Sequence, residues 1–116
     1  MRVLVCGGRN YNNEEVLFRV LDGYHELDYF IDTILQGGAT GADALAAKWA
    51  TSRGVTCEVY FPDWKKFGPS AGPKRNQRMI DQGNPGVVIA FPGGRGTADM
   101  VRRAKRANIE VIEIAE

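Results

Sequence analysis

Short, unbroken apolar runs alternate along this chain with longer stretches in which apolar positions recur every three or four residues. Val3-Leu4-Val5-Cys6 is the first run and Gly7-Gly8 ends it, as expected of a strand buried on both faces of a parallel sheet. A helix follows. Asn12 or Asn13 can cap it, and Glu14 and Glu15 suit the positive potential of its first turn. Val16, Leu17, Val20, Leu21, Tyr24 and Leu27 make its apolar stripe. The pattern repeats with a strand over Ile31 to Leu35, stopped by Gly37-Gly38. A helix comes next through Ala42, Leu45, Ala46, Trp49 and Ala50, closed by Gly54. Val55 to Phe61 reads as a third strand, and residues 62–72, with Pro62, Gly68, Pro69 and Gly72, as a loop. Pro73 is placed to open a third helix running to about Asp81. A fourth strand over Gly86 to Phe91, a fourth helix over Thr97 to Ala107 and a fifth strand over Ile109 to Ile114 complete the reading.

Strands alternating with helices through the whole length predict βαβ units. The expected fold class is α/β: a Rossmann-like three-layer αβα sandwich of about five parallel strands. Residues 1–116 form one domain, with no linker, repeat or low-complexity segment. Right-handed crossovers leave few topologies, and the doubly wound order 3-2-1-4-5 is the expected one.

Composition refines this by exclusion. A length of 116 residues allows one genuine core, and 44% hydrophobic with 25% charged residues excludes disordered and fibrous classes. No apolar run approaches the roughly 18 residues of a membrane helix. The first residues enter a strand directly, without a signal-peptide pattern, so a cytoplasmic protein is expected. Two cysteines, Cys6 and Cys57, read as reduced thiols rather than a disulfide. With one histidine, His25, no metal site, cofactor or His/Cys nucleophile pair is expected.

The net charge of +1 hides an asymmetry. Lys65, Lys66, Lys74, Arg75, Arg78, Arg95, Arg102, Arg103, Lys105 and Arg106 face only Asp81 and Asp99 within residues 64–107. Such a segment suits an anionic ligand, although Arg102 to Arg106 also reads as a solvated helix face.

Eight of the fourteen glycines fall in three loops: Gly7 and Gly8; Gly37, Gly38 and Gly41; Gly93, Gly94 and Gly96. Each loop follows a predicted strand and precedes a helix. In an open parallel sheet the three share the carboxyl edge, where ligands bind. Glycine lets backbone N–H groups approach a ligand closely, and a helix start favours phosphate. The strongest motif is Pro92-Gly93-Gly94-Arg95-Gly96-Thr97. It lacks the Lys-Ser/Thr ending of a Walker A loop and departs from the usual dinucleotide fingerprint.

Gly7-Gly8-Arg9, Gly37-Gly38-Ala39-Thr40-Gly41-Ala42-Asp43, Ala71-Gly72-Pro73 with Arg75-Asn76-Gln77-Arg78-Met79, and Pro92 to Thr97 together resemble the SLOG superfamily. Within it the chain is most similar to the small YspA-like branch. More distant relatives are the LONELY GUY phosphoribohydrolases and DprA. The resemblance spans nearly the whole chain, and implies a Rossmann-like fold with nucleotides or nucleotide-derived signals held at the PGGxGT loop. Enzymatic members carry PGGxGTxxE, whose glutamate works with an arginine of the preceding helix to break an N-glycosidic bond. Arg75 is similar to that arginine, but Met100 stands at the glutamate position. Asp99 is one place early, about 100° around a helix.

The resemblance and the residues together nominate Gly7, Gly8, Arg9, Gly38, Thr40, Gly41, Asp43, Trp64, Arg75, Asn76, Arg78 and Pro92 through Thr97 for ligand binding. Asp43 either caps the second helix or accepts from a ribose hydroxyl. Trp64 either stacks on a base or caps the core. Arg75 and Arg78, three apart on one helix face, either clamp a phosphate or make surface ion pairs. His25 lines up with Phe18, Asp22 and Tyr29 beside the main stripe and reads as structural. The aromatics on that second face suggest a homo-oligomer.

Three functions are expected in descending order. The first is a module that senses, carries or sequesters a small phosphate-bearing nucleotide or nucleotide-derived signal. The second is a nucleoside monophosphate phosphoribohydrolase using Arg75 and Asp99. Single-stranded nucleic-acid binding comes last, because the aromatics are not interleaved with the basic residues.

Overall fold

In the computed structural model, which describes residues 1–116 apart from the side chain of Asp28, Val3, Leu4 and Val5 lie at the centre of a five-stranded parallel sheet. The strands are β1 (Arg2–Cys6), β2 (Thr33–Gln36), β3 (Thr56–Val59), β4 (Val87–Ala90) and β5 (Glu110–Glu113). Their order is β3-β2-β1-β4-β5, as the alternation predicts. Leu4 of β1 is in register with Leu35 on one side and Val88 on the other.

The helices are α1 (Glu14–Tyr24), α2 (Ala42–Arg53), α3 (Trp64–Phe67), α4 (Ala71–Gly83) and α5 (Arg95–Arg106). Because side chains alternate across a strand, β1 feeds two cores. Val3 and Val5 pack with Leu17 and Leu21 of α1 and Ala46 and Trp49 of α2. Leu4, on the other face, packs with Met79 and Ile80 of α4 and Met100 and Ala104 of α5. These are the three layers expected of a Rossmann-like α/β fold. Among the described residues no helix is long and apolar enough to cross a membrane.

Local chemistry explains the boundaries. The Asn13 side chain accepts from the Val16 amide at 3.2 Å and starts α1. Gly54 ends α2 in the left-handed conformation at φ 67°. Past α1 the chain winds into a π-helical turn, His25–Tyr29, which the 3-4 spacing does not reveal. His25 is structural: its Nδ1 accepts from the Ile31 amide at 2.9 Å, and its ring meets Trp49 edge-on.

The segment 62–72 departs from the expected loop. Asp63 accepts from the Lys66 amide at 3.1 Å and caps α3, a 3-10 turn over Gly68–Ser70 follows, and α4 starts at Ala71 rather than Pro73. Prolines are tolerated there because amides of a first turn have no acceptor within the helix. Likewise α5 starts at Arg95, two residues before Thr97. β1 starts one residue earlier than its apolar run, at Arg2, whereas β2 to β5 are one to three residues shorter than theirs. Phe91 is 1% exposed yet lies beyond β4. Cys6 and Cys57 are both free thiols. They sit on β1 and β3 with β2 between, and Cys57 is level with Val3 rather than Cys6, so they are more than about 10 Å apart and beyond disulfide reach.

Trp49 is the largest fully buried side chain. Its indole N–H donates to Asp22 Oδ1 at 2.9 Å, while Arg53 grips the same carboxylate through Nε at 2.8 Å and Nη2 at 2.7 Å. The Arg53 hydrogen bonds, aided by the indole, hold the Asp22 carboxyl below its usual value. Trp49→Ala is expected to lower the unfolding free energy by about 3–5 kcal/mol. Urea denaturation followed by circular dichroism measures this.

Candidate functional site

The three glycine loops meet at the carboxyl edge of the sheet, joined through Gly8. Its N–H donates to the Pro92 carbonyl at 2.9 Å, and its own carbonyl accepts from Ala42 at 3.2 Å. Thr40 Oγ1 adds a bond to the Arg9 carbonyl at 3.0 Å. Such approach requires bare backbone. Gly41 has φ 73°, and a Cβ on it would run into the Gly8 carbonyl. A Cβ on Gly93 would collide with Thr97 Oγ1 and stand 2.7 Å from the Gly8 nitrogen.

Beside this junction lies a cavity of about 620 Å³. Gly7, Gly8 and Arg9 form one wall, and Gly94, Arg95, Gly96, Thr97 and Asp99 another. Asp43, Arg75 and Asn76 close the inner side, and Trp64 stands at the mouth. Gly94 caps α5 without a side-chain hydrogen bond, and the first helical backbone bond is donated by Ala98 to the Gly94 carbonyl. The amides of Arg95, Gly96 and Thr97 therefore start the helix without an acceptor inside it. A Cβ built on Gly94 or Gly96 would have no neighbour within 4 Å.

Other nominated residues lie outside the cavity wall. Gly38, Thr40, Gly41, Pro92 and Gly93 hold the loops together behind it. Arg75 and Arg78 both reach main-chain carbonyls of the segment after β3, and only Arg75 lines the 620 Å³ cavity. Arg75 Nη1 turns inward to the Gly37 carbonyl at 2.6 Å and the Tyr60 carbonyl at 3.3 Å, while its Nε donates to Asn76 at 3.0 Å. Arg78 turns outward to the Phe61 carbonyl at 2.9 Å, over the Tyr60 ring. Both guanidinium groups are held by main-chain carbonyls, an option that helix spacing does not reveal.

Asp43 lies one position into α2, whose cap is Gly41. Its Oδ2 accepts from the Ala39 amide at 3.2 Å, so it braces the loop before the helix. Burial pushes the Asp43 carboxyl up, opposed by the Ala39 amide and Arg75. Burial also lowers Arg75, opposed by Asp43.

Asn76 is 6% exposed and connects α4 to α5. Its amide nitrogen donates to the Gly96 carbonyl at 3.2 Å and to Asp99 Oδ2 at 3.0 Å. Arg103 donates to the same Asp99 oxygen at 2.8 Å, and Arg102 to the other at 3.2 Å. Burial pushes the Asp99 carboxyl up, but the bonds from Arg103 and Asn76 and the nearby cations hold it below its usual value. Met100 is 2% exposed and packs in the α4–α5 core while touching the cavity.

Sequence reasoning did not nominate Cys6, Met79 or Arg102 for the cavity. Cys6 is the last residue of β1, a position that itself marks the carboxyl edge. Burial raises its thiol to about 12, which disfavours the thiolate form that acts as a nucleophile. Arg102 lies one turn beyond Asp99, a spacing that the sequence does display.

The fold and this edge define a Rossmann-like α/β protein with a ligand-sized cavity at the carboxyl ends of its strands. A family model described as YspA, cpYpsA-related SLOG (YAcAr) matches residues 1–67, and the chain belongs to that family. Gene 61 protein of Mycobacterium phage D29 is 36% identical over 123 residues, covering 99% of this chain and 97% of its own length. An X-ray structure of TM1055 matches with a TM-score of 0.69 over 96% of this chain and 72% of that one. At 18% identity that likeness concerns the fold.

Two glycines separate fold from site. Gly93→Ala is expected to destabilise the protein by about 1–3 kcal/mol through overpacking. Gly96→Ala, in open space within α5, is expected to gain about 0.5–1 kcal/mol while setting a methyl on the cavity wall. Thermal unfolding of the two variants side by side checks the opposite signs.

Proposed function

We propose that this chain binds a small phosphate-bearing nucleotide or nucleotide-derived ligand at the carboxyl edge of its sheet, as a sensor, carrier or sequestering protein. The observation that carries the reading is the uncapped start of α5 opening into a cavity of about 620 Å³. That volume lies within the range usual for small-ligand sites. Free first-turn amides and the positive helix end suit phosphate oxygens, and Arg9, Arg95 and Arg102 add positive charge along the same walls. Membership of the SLOG family supports the same ligand class.

Binding without bond cleavage is favoured by the carboxylates. Met100 stands where the enzymatic relatives are expected to carry glutamate, and both Asp99 oxygens already accept from protein donors. The second reading, an N-glycosidase, rests on Asp99 reaching the cavity wall. Isothermal titration against nucleoside monophosphates, ADP-ribose and cyclic nucleotides is expected to find a ligand tighter than about 100 μM, with no free base released on chromatography. Absence of any such ligand would overturn the binding reading. Base release abolished by Asp99→Asn would establish the enzyme instead.

The two free thiols suit a reducing compartment, and we place the protein in the cytoplasm. Self-association forms part of the proposal. Phe18 packs against the core with Arg53 over its ring, but Leu27, Tyr29 and Phe30 are 69%, 51% and 66% exposed at the end of the π-helical turn. A second copy covering them is expected to appear as a dimer or larger species in size-exclusion chromatography with light scattering. A monomer at micromolar concentration would exclude it.

A further inference from the structure

At the mouth of the cavity, Arg9 and Trp64 approach from different parts of the chain. The Arg9 guanidinium carbon lies 5.7 Å from the centroid of the Trp64 ring. Both residues line the cavity that Gly94 and Gly96 also line. Trp64 is the first residue of α3, fixed by the Asp63 cap, and its ring edge lies over Gly72 of α4. A Cβ on Gly72 would stand 3.4 Å from Trp64 Cη2, so the indole edge lies close to α4. The indole nevertheless stays 47% exposed. Among the described residues the Arg9 side chain has no ion-pair partner, whereas its main-chain carbonyl is tied by Thr40. An exposed aromatic ring therefore stands beside a cation on a long stem.

Guanidinium groups stack on aromatic faces, and they do so on ligand rings as readily as on indoles. A planar ring between two flat groups needs them about 7 Å apart, twice the optimal carbon–carbon separation of roughly 3.5 Å. The 5.7 Å from the guanidinium carbon to the ring centroid is about 1.3 Å less, a difference that rotation of the long Arg9 side chain supplies.

We propose that Arg9 and Trp64 are the two jaws of a clamp for a planar heteroaromatic ring. The inference rests on phosphate binding at α5 and specifies the rest of the ligand: it carries a nucleobase-like ring held at the mouth, and a sugar phosphate alone is an incomplete ligand. Every base offers a π-face, so these two residues select for a ring and not for its identity.

The test uses adenosine monophosphate, cytidine monophosphate and ribose 5-phosphate as probes, by calorimetry and by tryptophan emission. Trp49 is fully buried and Trp64 is exposed, so quenching by a bound ring reports on Trp64. Both nucleotides are expected to bind and quench, and ribose 5-phosphate to bind more weakly without quenching. Trp64→Ala is expected to weaken the nucleotides about 5- to 150-fold and leave ribose 5-phosphate within about twofold. Trp64→Phe should keep most of the nucleotide affinity, and Arg9→Ala should shrink the preference for nucleotide over sugar phosphate. Equal losses for nucleotide and sugar phosphate in Trp64→Ala, or nucleotide binding to the unmodified protein without quenching, would overturn the clamp and leave phosphate binding standing. Failure of all three probes to bind the unmodified protein would overturn both.

Discussion

The Gly8 amide donates to the Pro92 carbonyl at 2.9 Å, and the Gly8 carbonyl accepts from Ala42 and from Tyr11, each at 3.2 Å. One residue thus ties the ends of β1 and β4 to the start of α2. The bonds are short-range, so all three loops must come within a side chain's thickness of one another. Glycine at 7, 41 and 93 is the condition for that approach, because a Cβ at each would meet an atom of a neighbouring loop. Ala42 packs so closely on Gly7 that even a methyl there would overlap it. The junction beside the cavity is main chain bonded to main chain.

A second constraint concerns charge. The start of α5 has no capping side chain, while the cations around the cavity divide into two groups. Arg75 is turned inward, donating to the Gly37 and Tyr60 carbonyls in the field of Asp43, so it holds the Gly37 loop in place. Arg9 and Arg95 remain exposed and available to a ligand. Asn76 couples the two regions, accepting from Arg75 on one side and donating to the Gly96 carbonyl and Asp99 on the other. The α5 start and Arg75 thus share one buried amide. The energetic weight of that amide is high, since a buried polar group left without partners costs about 1–3 kcal/mol.

Much of this architecture is legible in the residue pattern. Val3 to Cys6 and Val87 to Ala90 are apolar on successive residues because both faces of the sheet are covered, and the runs identify themselves. Asn13 and Gly54 announce the ends of α1 and α2 through local hydrogen bonding and left-handed geometry. The segment from Pro62 to Gly72 is less legible. Its prolines and glycines signal a loop, yet capping by Asp63 and packing of Trp64 over Gly72 wind it into α3 and a 3-10 turn. Tertiary contact overrides weak local preference there.

Taken alone, the sequence determined the α/β class, the strand order, the gathering of the glycine loops at one sheet edge and the family resemblance. The first three follow from periodicity, from the handedness of βαβ crossovers and from residue types that local backbone geometry demands, and the resemblance from the motifs themselves. Only the tertiary structure decided which side chains enter the cavity. Arg75 and Arg78 share a helix face, but partners 38 and 17 residues away turn one inward and the other outward. Spacing along a helix sets a direction to within a face. The hydrogen-bond acceptor at the end of a long side chain comes from distant chain, and no local pattern encodes it.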